Sequence, residues 1–156
     1  MIITAFFLYF YWKNNNDLVN KLYSTSFNYK FKTFGVLSAV FLAIHSIFLG
    51  IKFDIQIYKL LRRVVLLLFI IFEIIAQGYL VYHLYKLKLK LEKMINKKIL
   101  IMKIILVSIL ASVAILSLPI LITKGNIHFK HALEWNYFVG VILFYLFSRF
   151  FWRRTT

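Results

Sequence analysis

Long apolar runs separated by short charged intervals are the dominant pattern along this chain. Phe34 to Phe53, Val64 to Tyr85, Ile99 to Thr123 and Ala132 to Trp152 are each about as long and apolar as a membrane-crossing helix, which needs roughly 20 such residues. The intervals between them, Lys52 to Arg63, Lys86 to Lys98 and Lys124 to His131, are short, so consecutive helices should run antiparallel as neighbours. A fifth apolar segment, Met1 to Trp12, is aromatic and too short to span: about 12 residues of helix rise roughly 18 Å. Lys13-Asn14-Asn15-Asn16-Asp17 is read as its stop signal, and Tyr11-Trp12 as an interfacial aromatic belt. A secretory signal would put its positive charge first, and here the charge follows. The segment is therefore expected to be the last half of a spanning helix or one that dips in from one side. The expected fold is all-α: one integral membrane domain over residues 1–156, a polytopic transmembrane helix bundle of four full spans plus this partial fifth.

Composition agrees. Of 156 residues, 62% are hydrophobic, against about 45–50% in ordinary soluble domains. The formal charge of +15 would suit a nucleic-acid binder, but too little polar sequence remains to build a soluble exterior, so no nucleic-acid partner is expected. Disorder requires low hydrophobicity and is excluded. Without cysteine there are no disulfides, thiolate metal sites or cysteine nucleophiles.

The charge carries orientation. Lys52, Lys59, Arg62, Arg63, Lys124 and Lys130 fall on one side of the alternating helices; the other fourteen of the 20 basic residues fall on the opposite side, Lys103 counted with the 86–98 loop. The positive-inside rule assigns that richer side, residues 13–33, 86–98 and the C-terminal end, to the cytoplasm. The alternating Lys86-Leu87-Lys88-Leu89-Lys90-Leu91 is read as a helix extension whose lysines reach anionic head groups.

Ionisable and amide groups inside the spans are the candidate functional residues, because they are costly in lipid. His45 lies near the middle of the first full span. Glu73 lies near the middle of the second, with Gln77 one turn on and on the same face. A carboxyl in lipid favours its neutral form and can exchange a proton, so His45 with Glu73 is a candidate proton-handling pair. The plainer alternative is polar glue between helices, typically about 0.6–2 kcal/mol per contact. Bis-His haem would need two histidines at matched depth, and His128 with His131 lacks a third metal ligand, so no cofactor and no metal are expected. Phosphate-loop, HExxH and GxSxG signatures are missing, and no two carboxylates lie close, so no catalytic residue is assigned. Pro119 is expected to kink the end of the third full span, and the glycines within spans to mark close helix approach.

His131-Ala132-Leu133-Glu134-Trp135, then Gly140, Phe144-Tyr145-Leu146-Phe147 and Arg149-Phe150, resembles the final helix of the DRAM / Frag / Sfk family of six-span membrane proteins, which includes the damage-regulated autophagy modulators. Lys103 to Val107 with Ser112 to Ser117 resembles the family's fifth helix, Gln77-Gly78-Tyr79-Leu80 its fourth, and Lys32 to Ser38 the start of its third. In that register Met1 to Trp12 is the end of the second helix, and the first would precede it. One departure is clear: Arg62-Arg63-Val64-Val65 stands where the family usually has a histidine. The resemblance implies a non-enzymatic protein of autophagy or endomembrane lipid homeostasis, with membrane lipids and other membrane proteins as partners and a lysosomal or endomembrane location. Two further expectations are a factor in lipid remodelling of GPI anchors and an accessory subunit of a mitochondrial respiratory complex.

His131, Glu134 and Trp135 open the last span at the non-cytoplasmic surface. Glu134 in the first turn complements the helix dipole and Trp135 anchors among head groups. A sharper expectation is a lipid-head-group or partner site built from these three with the basic residues near Arg62.

Overall fold

The computed structural model describes residues 2–24, 29–51, 55–88, 95–122 and 127–151, with side chains at all of these except 59, 117–122, 127–131 and 134. Among the described residues the fold is all-helical: α1 Ile2–Tyr23, α2 Lys30–Gly50, α3 Gln56–Lys88, α4 Lys97–Ile122 and α5 Ile127–Phe151. Three of these are long and apolar enough to cross a membrane, over Lys30–Gly50, Gln56–Lys88 and Lys97–Leu116, and Trp135–Phe151 of α5 forms a shorter apolar stretch. The chain divides into two compact units, Met1–Leu80 and Val81–Thr156, with the boundary inside α3.

In the first unit, α1 buries Ala5, Leu8, Trp12, Asn16 and Val19, a stripe at steps of three and four that marks one helical face. That stripe passes straight through the expected stop signal, so Lys13 to Asp17 lies inside α1 and the apolar segment does not end at Trp12. The asparagines explain why. Asn15 Nδ2 donates to the Tyr11 carbonyl one turn back at 2.8 Å. Asn16, buried within the stripe, accepts the Tyr29 backbone N–H at 3.0 Å, just ahead of α2. A polar run whose side chains satisfy backbone groups locally does not have to break a helix.

The buried face of α2 is Phe31, Gly35, Ser38, Leu42 and His45. Gly35 is where α1 comes closest: a Cβ added there would overlap the Trp12 ring. Between helices in lipid the driving force is close packing rather than burial from water, and a glycine supplies it by admitting an indole to the backbone. On α3 the buried face is Val65, Phe69, Glu73, Ala76, Gln77 and Leu80. Aromatic stacks join it to α2: Phe34 with Phe72 at 5.9 Å and with Tyr79 at 6.1 Å, and Phe41 with Phe72 at 5.5 Å. At the other end of α2, the Tyr58 hydroxyl donates to the Phe48 carbonyl at 2.5 Å.

In the second unit, Val81, Leu84 and Leu87 continue the buried face of α3. Helices α4 and α5 pack together through Leu100, Lys103 and Leu110 on one side and Tyr137, Gly140, Val141, Phe144 and Phe151 on the other. Gly140 brings the backbones close, since an added Cβ would meet Leu110 Cδ2 at 2.5 Å. Asn96 N–H donates to the Phe151 carbonyl at 2.9 Å, which ties the end of α5 to the start of α4 and makes the pair antiparallel.

Both ends of α3 differ from those read in the sequence. Helix α3 starts eight residues before Val64, so Arg62 and Arg63 are exposed helical residues rather than loop charges. Its other end reaches Lys88, so Lys86 and Lys88 do extend a helix; residues 89–94 lie outside the described residues. Helix α4 runs through Pro119 and ends at Ile122, one residue short of the expected Thr123.

Candidate functional site

Polar side chains buried in lipid-spanning helices need partners from their own chain, because neither lipid nor water supplies them. Two such groupings are present, one in each unit.

The first is centred on Glu73, whose place on the buried face of α3 leaves it 0% exposed. Gln77, one turn later on the same face, donates Nε2–H to Glu73 Oε1 at 2.9 Å. From α2, Ser38 Oγ lies 2.6 Å from Glu73 Oε2 and 2.8 Å from the Gly35 carbonyl oxygen. Ser38 and Gln77 are likewise 0% exposed. Both carboxyl oxygens are thus engaged, one along α3 and one across to α2. Gln77 Oε1 is buried and has no hydrogen-bond partner among the described residues. His45 shares the buried face of α2 with Ser38, two helical turns further along. Among the expected polar residues Glu73 and Gln77 are hydrogen-bonded to each other, and Ser38, which sequence reasoning missed, joins them. The available signal was faint: Ser38 begins a span, and its i, i+7 spacing puts it on the face of His45.

The second grouping is centred on Lys103, which is 1% exposed between α4 and α5. This corrects its assignment as a loop charge and leaves thirteen basic residues to orient the chain. Its Nζ donates to Ser148 Oγ at 2.7 Å and lies 4.3 Å from the Phe144 ring centroid and 5.6 Å from that of Phe151. The π-face is electron-rich, so two rings and one hydroxyl replace much of the ammonium's lost hydration. Phe144, Ser148 and Phe151 stand at i, i+4 and i+7, one side of α5, and all three are set by the periodicity of that helix.

Lysines near the helix ends behave differently. Lys30 lies over Tyr79 at 5.9 Å, Lys86 over Tyr82 at 4.7 Å and Lys88 over Tyr85 at 5.4 Å. Tyr79, Tyr82 and Tyr85 are all exposed, so these amines lie along aromatic side chains at the outer surface, as snorkelling residues do.

Of the residues proposed for a head-group site, Trp135 is 73% exposed on α5. His131 and Glu134 belong to α5 by backbone, and their side chains lie outside the described residues. No three His, Asp or Glu among the described residues are grouped to hold a metal.

The chain so described is helical, with three helices long and apolar enough to cross a membrane. No protein family, curated protein or solved structure matches it.

Proposed function

We propose that this chain is a non-enzymatic multi-span membrane protein that acts through lipids and membrane partners, in autophagy or endomembrane lipid homeostasis, as its resemblance to the DRAM / Frag / Sfk family implies. In this reading α5 is a fourth span beside α2, α3 and α4. The observation that carries the membrane part is the outward surface. Ile3 and Phe7 of α1, Ile47 of α2, Ile71 of α3, Ile105 and Ile115 of α4, and Ile142 and Leu146 of α5 are all exposed. Every helix presents aliphatic or aromatic side chains where a water-soluble bundle would present charge. The non-enzymatic part rests on the closed character of the polar groupings: Ser38, Glu73 and Gln77 engage one another at 0% exposure, where no substrate reaches them. The family part rests on the Glu134-Trp135 helix and on the likeness of the segments at Lys32 to Ser38, Gln77 to Leu80 and Lys103 to Ser117.

Expression of the tagged chain in the cells it comes from, followed by alkaline carbonate extraction and organelle fractionation, tests the two parts separately. Retention in the extracted membrane pellet is expected, and release would end the membrane reading. Co-fractionation with lysosomes or Golgi, and altered autophagic flux on deletion, are the expected family outcomes. Migration with a respiratory complex in the mitochondrial fraction would replace that reading.

A further inference from the structure

The second unit brings three helix ends to one side of any membrane it crosses. Asn96 N–H donates to the Phe151 carbonyl at 2.9 Å, so the end of α5 lies beside the start of α4. Only residues 89–96 separate the end of α3 at Lys88 from the start of α4 at Lys97, too few for a further crossing. The described basic side chains at these ends include Lys86 and Lys88 on α3, Lys97 and Lys98 on α4, and Arg149 on α5. Lys86, Lys97, Lys98 and Arg149 are exposed, and Lys88 is half-buried. Lys103, further along α4, turns inward to Ser148 and stands apart from this surface. The sign of the surface is set by sequence. Residues 86–103 and 149–154 hold ten basic residues against one acid, Glu92, so a large positive excess survives whichever of them Glu92 neutralises. Glu134, the other acid of this unit, is 17 residues before Phe151 along α5, roughly 25 Å by helical rise.

Apolar surface adjoins these cations. Ile101 and Met102 are exposed one turn along α4 from Lys97 and Lys98, and Leu146 and Phe150 are exposed beside Arg149 on α5. Near the end of α3, Tyr82 and Tyr85 are exposed, with Lys86 Nζ 4.7 Å from the Tyr82 ring centroid and Lys88 Nζ 5.4 Å from that of Tyr85. A ring face holds an ammonium from one side and leaves N–H groups for an anion. Tyrosine, apolar in its body and polar at its tip, settles at head-group level. A partner that fits has negative charge at one end and hydrocarbon below it. An acidic protein segment supplies only the first; a phospholipid with a negatively charged head supplies both.

We propose that this end of the second unit binds anionic phospholipids, with Lys86, Lys88, Lys97, Lys98 and Arg149 on the head groups, at the level set by Tyr82 and Tyr85, and the acyl chains along the apolar surface beside them. The assignment deepens the lipid part of the functional reading above and rests on its membrane part. Juxtamembrane basic residues gain from an anionic leaflet within a Debye length of it, and their contributions accumulate.

The test uses the full chain reconstituted in phosphatidylcholine vesicles that carry a trace of spin-labelled lipid, either phosphatidylserine or phosphatidylcholine. Electron paramagnetic resonance separates the slow lipid held against a protein from the fast lipid of the bulk. Labelled phosphatidylserine is expected to be held at least about two-fold more strongly than labelled phosphatidylcholine. Lys86→Gln, Lys88→Gln, Lys97→Gln, Lys98→Gln and Arg149→Gln combined should remove more than half of that preference, and a smaller loss overturns the proposal. Circular dichroism confirms that the helices persist in this variant. The wild-type chain gives a second reading that needs no substitution. Sodium chloride at about 0.5 M should weaken the preference by screening, and a preference indifferent to salt would also overturn the proposal. Equal retention of the two lipids by the wild-type chain overturns the proposal while the membrane reading stands, and assigns the basic surface to an acidic protein segment instead. Slow lipid of neither kind ends the membrane reading and the proposal with it.

Discussion

Glu73 and Lys103 are both buried on helices long and apolar enough to cross a membrane, yet they are accommodated by different chemistry. The carboxyl of Glu73 meets a hydroxyl and an amide, which are directional partners that match each of its oxygens. The amine of Lys103 meets one hydroxyl and two phenyl faces. A carboxyl can shed its charge by taking a proton and then needs only ordinary hydrogen bonds. An ammonium has three donors to place, and an aromatic face satisfies a cation without a geometric fit. Depth fits the contrast. Glu73 is 17 residues from the start of α3 and 15 from its end, while Lys103 is six residues from the start of α4. The group in the middle of its helix is held by a hydroxyl and an amide, and the one near a helix end by a hydroxyl and two rings.

The largest expected effect falls on the aromatic side of this comparison. Phe144→Ala removes a fully buried ring and half the cover of Lys103, and should destabilise the protein by about 3–5 kcal/mol in a denaturation series in mild detergent. Repeating it in a Lys103→Met background isolates the cation–ring part, expected at about 0.5–2 kcal/mol; a coupling of zero would mean that the rings act only by filling space. Next come the two glycine contacts, one in each unit. Gly35→Ala drives a methyl into the Trp12 ring, itself 0% exposed, and should cost about 1–3 kcal/mol. Gly140→Ala meets the tip of Leu110, which can rotate away, so the same assay should show a smaller loss; the reverse order would show that the indole yields more easily than the leucine. Ser148→Ala leaves Lys103 with its rings but no hydroxyl, and the expected cost is about 1 kcal/mol. The smallest effect belongs to Glu73→Gln. A glutamine fills the same space and keeps an acceptor for the Gln77 Nε2–H, so the change should stay below about 0.6 kcal/mol, the mean for interhelical polar contacts in membranes. A large loss there would mean that the charge itself is needed.

The helices were legible because apolar length is a strong signal: α2, α4 and α5 begin and end within about five residues of the expected runs, though three helices rather than four are long and apolar enough to cross a membrane. Glu73 and Gln77 stood out because each interrupts an apolar stretch. Ser38 did not, since serine is common in such helices and its significance comes from a carboxyl 35 residues away. Lys103 was hidden for the opposite reason: it follows a run of lysines that do face outward, and charge counting cannot tell which one turns inward. The continuation of α1 was missed because Lys-Asn-Asn-Asn-Asp reads as polar by composition, while the buried stripe through Trp12, Asn16 and Val19 becomes visible only once Asn16 has the Tyr29 amide to bind.

The length of α3 has a consequence of its own. Its 33 residues amount to about 50 Å of helical rise, far more than a hydrocarbon core of roughly 30 Å. Only the stretch from Val64 to Tyr85 is free of Lys and Arg, and at about 33 Å it matches that core closely. Arg62 and Arg63 flank it on one side and Lys86 and Lys88 on the other, so a shift along the membrane normal in either direction would drag a pair of cations into oil. As a span the helix would be a depth gauge pinned at both ends, and a thicker or thinner bilayer would have to deform around it rather than slide it.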